Sequence, residues 1–335
     1  MNCPHCDASD LDLLIPRERI SAELELRAKF WEQRIDGHID AAEMKDRTDV
    51  VLATPGEIRI CRPCGILVRI DHAPSFEGDP YADYVMEQML RVQIDAFRHK
   101  EPHYRPLLRD GARVLEIGSY VGGFLHVATE WGWSPLGIDI GEDTARFSAS
   151  RGYPTRHASL EECAFDDASF DGVFIWNTFE QIEDLRSLLV ELRRIVVAQG
   201  IVVIRIPNAL FYLAASILGH DLALGYNNLL GFPHRYGFGT HSLDALLRAH
   251  GFETMSHRGD TLIPPSRTRM STWARQEANA INETVREVAA AFAMLGETTV
   301  AAPWVEGVYV AMPPAESPSS EPAEPPPARP GGAAP

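Results

Sequence analysis

The sequence predicts an α/β protein: a mostly parallel sheet with helices on both faces, joined to a small N-terminal module. Three observations carry that expectation. From residue 112 onward, short β-branched apolar runs alternate with helical stretches, the order that builds parallel strands linked by crossovers. The first of those runs leads into a glycine-bearing turn, Val114-Leu-Glu-Ile-Gly-Ser-Tyr-Val-Gly-Gly-Phe. Upstream, four cysteines fall in two close pairs, Cys3-Pro-His-Cys6 and Cys61-Arg-Pro-Cys64.

The elements follow in order. Residues 1–72 form the module. Within it Ile20, Leu24, Trp31, Ile35 and Ile39 make one helical stripe, so 17–50 is read as a helical insertion. Glu57–Cys61 and Gly65–Ile70 alternate as two short strands around the second cysteine pair. Residues 73–312 form the main domain, opening with a helical lead-in at 73–110. There Tyr81, Val85, Met89, Val92 and Phe97 face the core of a helix that ends before Pro102 and Pro106. Strands are expected at 112–117, 134–139, 153–157, 171–176 and 200–206, with a helix at 185–197. A helix from Ser242 to His250 stops at Gly251. A sixth strand at Phe252–His257, an Ala-rich helix at 268–294 and a last strand at Trp304–Met312 complete the domain. Residues 313–335 are Pro, Ala, Glu, Ser and Gly and have almost nothing to bury, so they are read as a disordered tail.

The chain has 335 residues, 45% of them hydrophobic, enough for one large core and a small second one. No run reaches the ~18 uninterrupted apolar residues of a membrane helix, and the first residues lack a secretion pattern. A cytoplasmic protein without stable membrane insertion is expected. The formal net charge is −16. Nucleic-acid affinity comes largely from Lys and Arg neutralising phosphates, so no nucleic-acid partner is expected. The acidic balance reads as a solubility device.

In such a compartment cysteine pairs read as metal ligands before disulfides. Two C-x2-C knuckles supply four thiolates for a tetrahedral zinc, here Cys3, Cys6, Cys61 and Cys64. Four protein ligands leave no open position, so the zinc is structural. A redox role is the alternative, though neither pair sits in a thioredoxin-like βαβ context. His5 reads as exposed rather than ligating, and Cys163 as a plain packed or loop thiol.

In open α/β sheets, ligands bind beyond the carboxyl ends of the strands. Gly118 permits a tight turn there. Gly122 and Gly123 let backbone approach a ligand, and the helix that follows offers unpaired N–H groups. Asp139 ends the second strand, where a carboxylate accepts from ribose hydroxyls. A dinucleotide would use Asp139 similarly, but Tyr120 stands where G-x-G-x-x-G needs its second glycine. Glu116, beside the loop, disfavours a pyrophosphate and suits an amino group or a sulfonium.

These stretches, with Gly137-Ile-Asp-Ile, Phe170-Asp-Gly-Val-Phe-Ile-Trp-Asn-Thr-Phe-Glu-Gln-Ile-Glu-Asp and Leu192-Arg-Arg-Ile-Val-Val-Ala-Gln-Gly-Ile-Val-Val-Ile-Arg-Ile-Pro-Asn, resemble in succession the motifs of class I S-adenosylmethionine-dependent methyltransferases. The resemblance covers about 110–260 and implies a Rossmann-like methyltransferase fold. It implies that Glu116 and the loop with Gly118, Tyr120 and Gly122 hold the methionine portion. Asp139 would hold the ribose, with Ile140 against the adenine. Ser159 and Leu160 would line the adenine pocket, and Asn177 would touch cofactor or acceptor. Gln181 stands where many relatives carry His after Glu180. A cysteine ribbon ahead of this core resembles a bacterial group whose members often act on sugars or other small metabolites, so a small-molecule acceptor is expected.

Methyl transfer is an in-line displacement, so positioning supplies much of the catalysis. A base is needed only if the acceptor loses a proton, and His234 and His241 are the candidates. Glu180 would orient the acceptor or support another residue, and Arg235 would clamp an acidic group. Residues 208–240, with Phe211, Tyr212, Ile217, Leu218, Leu229, Leu230 and Phe232, read first as a lid over the cofactor; a membrane-leaning patch and a homodimer face are the alternatives. Two other functions stay open: a nicotinamide-dependent oxidoreductase or epimerase on a similar sheet, and a non-catalytic zinc-ribbon binding protein with a degenerate cofactor site.

Overall fold

A computed structural model of the chain describes residues 2–20, 56–70, 83–220, 234–260, 272–294 and 299–313. Its main sheet has seven strands. Five run parallel: β4 (Arg113–Ile117), β5 (Ser134–Asp139), β6 (Thr155–His157), β7 (Phe170–Trp176) and β8 (Val196–Pro207). β11 (Trp304–Ala311) inserts antiparallel between β8 and β10 (Phe252–Asp260), giving the order β10-β11-β8-β7-β4-β5-β6. The mostly parallel sheet expected from the sequence is therefore present, with one reversed strand.

Local chemistry explains the element ends. α4 (Leu185–Ile195) buries Leu185, Leu188, Leu189, Leu192 and Ile195, a 3–4 spacing that lays one apolar face on the sheet. Its N-cap is Asp184, whose carboxylate accepts from Ser187 N at 3.0 Å, and two arginines close its last turn. The helix stops two residues earlier than expected because β-branched Val196 and Val197 open β8 directly. Likewise β6 starts only after Pro154, which has no N–H to give the ladder.

One face of the sheet carries an aromatic cluster of Phe97, Tyr104, Phe124, Trp131, Trp133, Phe174 and Trp176. Phe97 comes from α1 (Asp83–Arg98), within the lead-in expected as helical; Met86, Leu90 and Phe97 are buried there, whereas Val92, expected to face the core, is exposed. Phe124, in the first turn of α2 (Gly123–Glu130), meets Phe174 at 4.7 Å between ring centroids. Aromatic pairs of this kind contribute about 0.5–1.5 kcal/mol beyond area burial. They fix the helix whose start forms one wall of the crevice. α3 (Glu142–Ser150) follows β5.

The second sheet is small and wholly antiparallel: β1 (Asp12–Ile15), β2 (Glu57–Cys61), β3 (Ile66–Ile70) and β9 (Tyr236–Gly237). Its last strand comes from the far side of the chain, through the pairs Leu67–Gly237 and Val68–Tyr236. Cys61, Ile66 and Val68 on one face join the main core. Ile15, Ile58 and Leu67 on the other pack on α5 (Ala209–Ile217) and α7 (Thr272–Met294). α6 (Thr240–Ala249) leads from β9 to β10.

Ile20 of the expected insertion is buried, whereas Leu24, Trp31, Ile35 and Ile39 lie outside the described residues. So do Leu229, Leu230 and Phe232 of the expected lid, and 314–335 of the tail. Among the described residues, no helix is long and apolar enough to cross a membrane.

Candidate cofactor and acceptor site

β4 ends at Ile117, and the chain turns at once. Gly118 N and Ser119 N both donate to Ile138 O, at 2.9 and 3.0 Å, hooking the turn onto the end of β5. Gly118 sits at φ +75°, and a Cβ there would overlap the Thr178 side chain. Tyr120, the residue that replaces a usual glycine, also takes a left-handed backbone, at φ +48°. That conformation costs an L-residue roughly 1–2 kcal/mol. Asp139 offsets it: its Oδ2 accepts from Tyr120 N at 2.7 Å. Oδ1 of the same carboxylate accepts from Gly141 N at 2.8 Å and Thr144 Oγ1 at 2.9 Å. Asp139 thus ties three parts of the crevice together before any ligand arrives. Gly122 (φ +87°) is the left-handed N-cap of α2, and no side chain caps the helix. The first N–H groups of α2 are therefore left to whatever enters the crevice.

Glu116 lies on β4 beside this loop. It is buried, and its Oε2 has no hydrogen-bond partner. Burial first, and the Asp139 carboxylate second, push its carboxyl well above the usual carboxylate range. An unsatisfied buried oxygen costs about 1–3 kcal/mol. A cationic or N–H-bearing ligand would remove that cost.

The remaining predicted cofactor residues border the same strand ends. Ile140 is exposed just past β5, apolar surface open to a planar partner. Ser159 and Leu160 follow β6. Ser159 N donates to Glu162 Oε2 at 2.7 Å, so the turn is braced by its own cap, and Leu160 is buried in the main core. Asn177, after β7, is a second strained residue (φ +56°). Its Oδ1 accepts from Arg205 Nη1 at 2.5 Å, and its backbone O accepts from Gln181 Nε2 at 2.5 Å.

Two of the three catalytic candidates meet. His234 Nδ1 lies 3.2 Å from Glu180 Oε1, and both residues are buried. The angle falls outside hydrogen-bond geometry, so this is a through-space contact. Backbone bonds lock the pair: Arg235 N donates to Glu180 O at 2.9 Å, and Arg69 Nη1 donates to His234 O at 3.3 Å. His241 is exposed in the first turn of α6, whereas this pair is buried. Arg235 reaches Glu183 at 3.5 Å.

The four predicted thiols converge. The sulfurs of Cys3, Cys6, Cys61 and Cys64 all lie within 4.8 Å of one another, Cys6 and Cys61 at 3.5 Å. A zinc about 2.3 Å from each thiolate would set them about 3.8 Å apart, so the donor set fits that ion. The fit extends to the backbone, since each knuckle is a tight turn: Cys3 N donates to Ala8 O, and Gly65 N to Cys61 O. Backbone hydrogen bonding at Ala8 draws the Cys6 thiol down to about 7, while burial pushes Cys3 up to about 11. Cys163 is a half-buried thiol packed on the main core, and His5 lies outside the cluster.

Residues 87–257 match a family described as a methyltransferase domain. The chain belongs to the class I S-adenosylmethionine-dependent methyltransferases. A chain of the complex between the Haloferax volcanii Trm112 methyltransferase activator and a candidate methyltransferase shares its fold. The TM-score is 0.50 at 14% identity, over 69% of this chain and 95% of that one. A SAM dependent methyltransferase from Archaeoglobus fulgidus gives 0.46 at 19% identity, over 68% and 98%. One from Mesorhizobium loti gives 0.43 at 18%, over 63% and 97%. No curated protein matches.

Some groups around this crevice escape sequence reasoning. Thr178 packs against Gly118, and Ser148 and Tyr153 both come to 2.6 Å from where a Cβ on Gly122 would stand. Arg205 clamps Asn177 while its guanidinium lies 4.1 Å over the Trp304 ring. Of these only Thr178 carries a local signal, since it follows Asn177 in the post-strand turn.

Proposed function

We propose that this methyltransferase binds S-adenosylmethionine at the Glu116–Asp139 crevice and methylates a small molecule after His234 takes the acceptor's proton. The observation that carries the reading is Glu116: a buried carboxyl with an unpartnered oxygen, next to a loop whose strained backbone Asp139 already holds in place. Bound S-adenosylmethionine supplies a methyl carbon activated by its sulfonium. The chain does the rest. Glu116 favours the cationic methionine end over a pyrophosphate, and the Gly118–Gly122 loop brings backbone close to it. Asp139 keeps lone pairs for ribose hydroxyls. Ile140, Ser159 and Leu160 border the adenine, and Asn177, held by Arg205, divides cofactor from acceptor.

On this reading Glu180 holds the His234 Nδ1 side and leaves Nε2 for the acceptor. On the same reading the methyltransferase domain spans 73–312. The four thiols of the 1–72 module hold a structural zinc that takes no part in the chemistry. Calorimetric titration with S-adenosylmethionine, S-adenosylhomocysteine and NAD tests the proposal. Both sulfur ligands should bind the wild type, and S-adenosylmethionine should lose about tenfold or more in affinity for Glu116→Gln. NAD binding without S-adenosylhomocysteine binding would overturn it.

A further inference from the structure

The thiol module touches the His234 segment more closely than a structural appendage needs to. β3 begins two residues after Cys64 and pairs with β9, which begins two residues after His234. Arg69, at the other end of β3, donates twice into the same segment. Its backbone N reaches Arg235 O at 2.8 Å, and its buried side chain reaches His234 O. Arg235 N then donates to Glu180 O, closing a path from the second cysteine knuckle to the His234–Glu180 pair. The first knuckle has its own link. Arg186 donates to Pro4 O at 2.9 Å and His5 O at 3.1 Å, and Tyr236 OH donates to Glu183 O at 2.9 Å. Between these contacts lies a cavity of about 350 Å³ lined by Cys3, Pro4, Glu183, Arg186 and Tyr236 among others. The seam thus combines these directed bonds with the burial of Cys3, Leu11, Cys61, Ile66 and Val68 in the main core. The first knuckle is a turn with no helix or strand of its own between residues 2 and 11, so a metal on its thiols is what would keep its carbonyls aimed at Arg186.

We propose that the four-thiol module is a positioning device for the acceptor site: metal held by the cysteines fixes β3, and β3, through Arg69, holds His234 against Glu180. The claim about geometry rests on these contacts alone. Only its catalytic meaning rests on the function proposed above. Glu116, the Gly118–Gly122 loop and Asp139 sit at the ends of β4 and β5, outside this path, so the module should act on the acceptor side and leave cofactor binding alone.

The test uses the full chain, zinc-loaded and chelator-treated, with Arg69→Met and Arg69→Lys in the zinc-loaded state. Amide exchange at Arg235, the NMR resonance of the His234 ring and calorimetric affinity for S-adenosylhomocysteine are measured on each. Zinc removal and Arg69→Met should speed Arg235 exchange by about tenfold or more and move the His234 resonance. Arg69→Lys, which still donates to a carbonyl, should restore most of both. Affinity for S-adenosylhomocysteine should stay within about twofold throughout. Unchanged Arg235 exchange and an unmoved His234 resonance in Arg69→Met would overturn the proposal, and that variant decides alone if the zinc-free chain unfolds. Failure of S-adenosylhomocysteine to bind the zinc-loaded wild type would instead sink the functional reading, with the exchange data still judging the positioning role.

Discussion

Replacing Asp139 by Asn separates the crevice's architecture from its ligand. The carboxylate accepts three hydrogen bonds, one on Oδ2 from Tyr120 N and two on Oδ1 from Gly141 N and Thr144 Oγ1. An amide has one oxygen. It satisfies more donors by turning that oxygen to Gly141 and Thr144, which leaves its NH2 facing the Tyr120 N–H. One charge-assisted bond is lost, about 1.5–3 kcal/mol. The left-handed backbone of Tyr120 then loses the partner that offset its strain, and the loop relaxes. A ligand that needs the loop formed must restore it. At about 1.4 kcal/mol per decade, the affinity for S-adenosylhomocysteine should fall by roughly tenfold to a little over a hundredfold. Calorimetric titration reads the affinity, and amide exchange at Tyr120 reads the loop. Affinity within about twofold of wild type would refute the reasoning. A large affinity loss with Tyr120 exchange unchanged would assign the effect to the ribose contact and remove the loop from the account.

Glu116→Gln carries a pH signature. The folded-state carboxyl titrates above its unfolded range, so the folded protein holds the extra proton. The contribution of Glu116 to stability is full below the ordinary carboxylate range and falls as pH rises through the raised value. Thermal unfolding of the ligand-free variant should therefore show a stability gain on the alkaline side only, and an equal gain at acid pH would contradict this. Gly118→Ala forces a Cβ into Thr178 at φ +75° and should destabilise by about 2–5 kcal/mol, the sum of backbone strain and overpacking. Thr178→Ala alongside it should recover about 1 kcal/mol in denaturant melts, and strict additivity would disprove the clash. His234→Gln should lower kcat about a hundredfold or more with cofactor affinity intact, whereas His241→Gln should stay near wild type; equal effects would dissolve the distinction between them.

Much of this fold is legible in the chain because its signals are local. The Val-Leu-Glu-Ile run of β4, the 3–4 leucine spacing of α4 and the cysteine doublets each declare an element within a few residues. What escapes the reading is set at long range. Tyr120 looks like a defect in a glycine loop, and only the carboxylate 19 residues away shows why the strain is tolerated. β9 is two residues long, too short for any periodicity to announce. The insertion of β11 between β8 and β10 depends on pairing across the sheet rather than on its own alternation. His234 and Glu180 are nameable by residue type as candidates, yet their meeting follows from where β9 docks. His241, equally good by type, falls on an exposed helix start.

That docking also constrains how the molecule comes to be made. The thiols and three strands of the small sheet leave the ribosome ahead of the central parallel strands, but the fourth strand is translated only after them. Until residues 236 and 237 emerge, the outer edge of β3 presents unpaired N–H and C=O groups beside Ile66 and Val68, a template for any passing extended chain. Cut off at residue 72, the nascent piece keeps every ligand for a metal and lacks the neighbour that closes its rim, so by itself it should self-associate rather than stay monomeric.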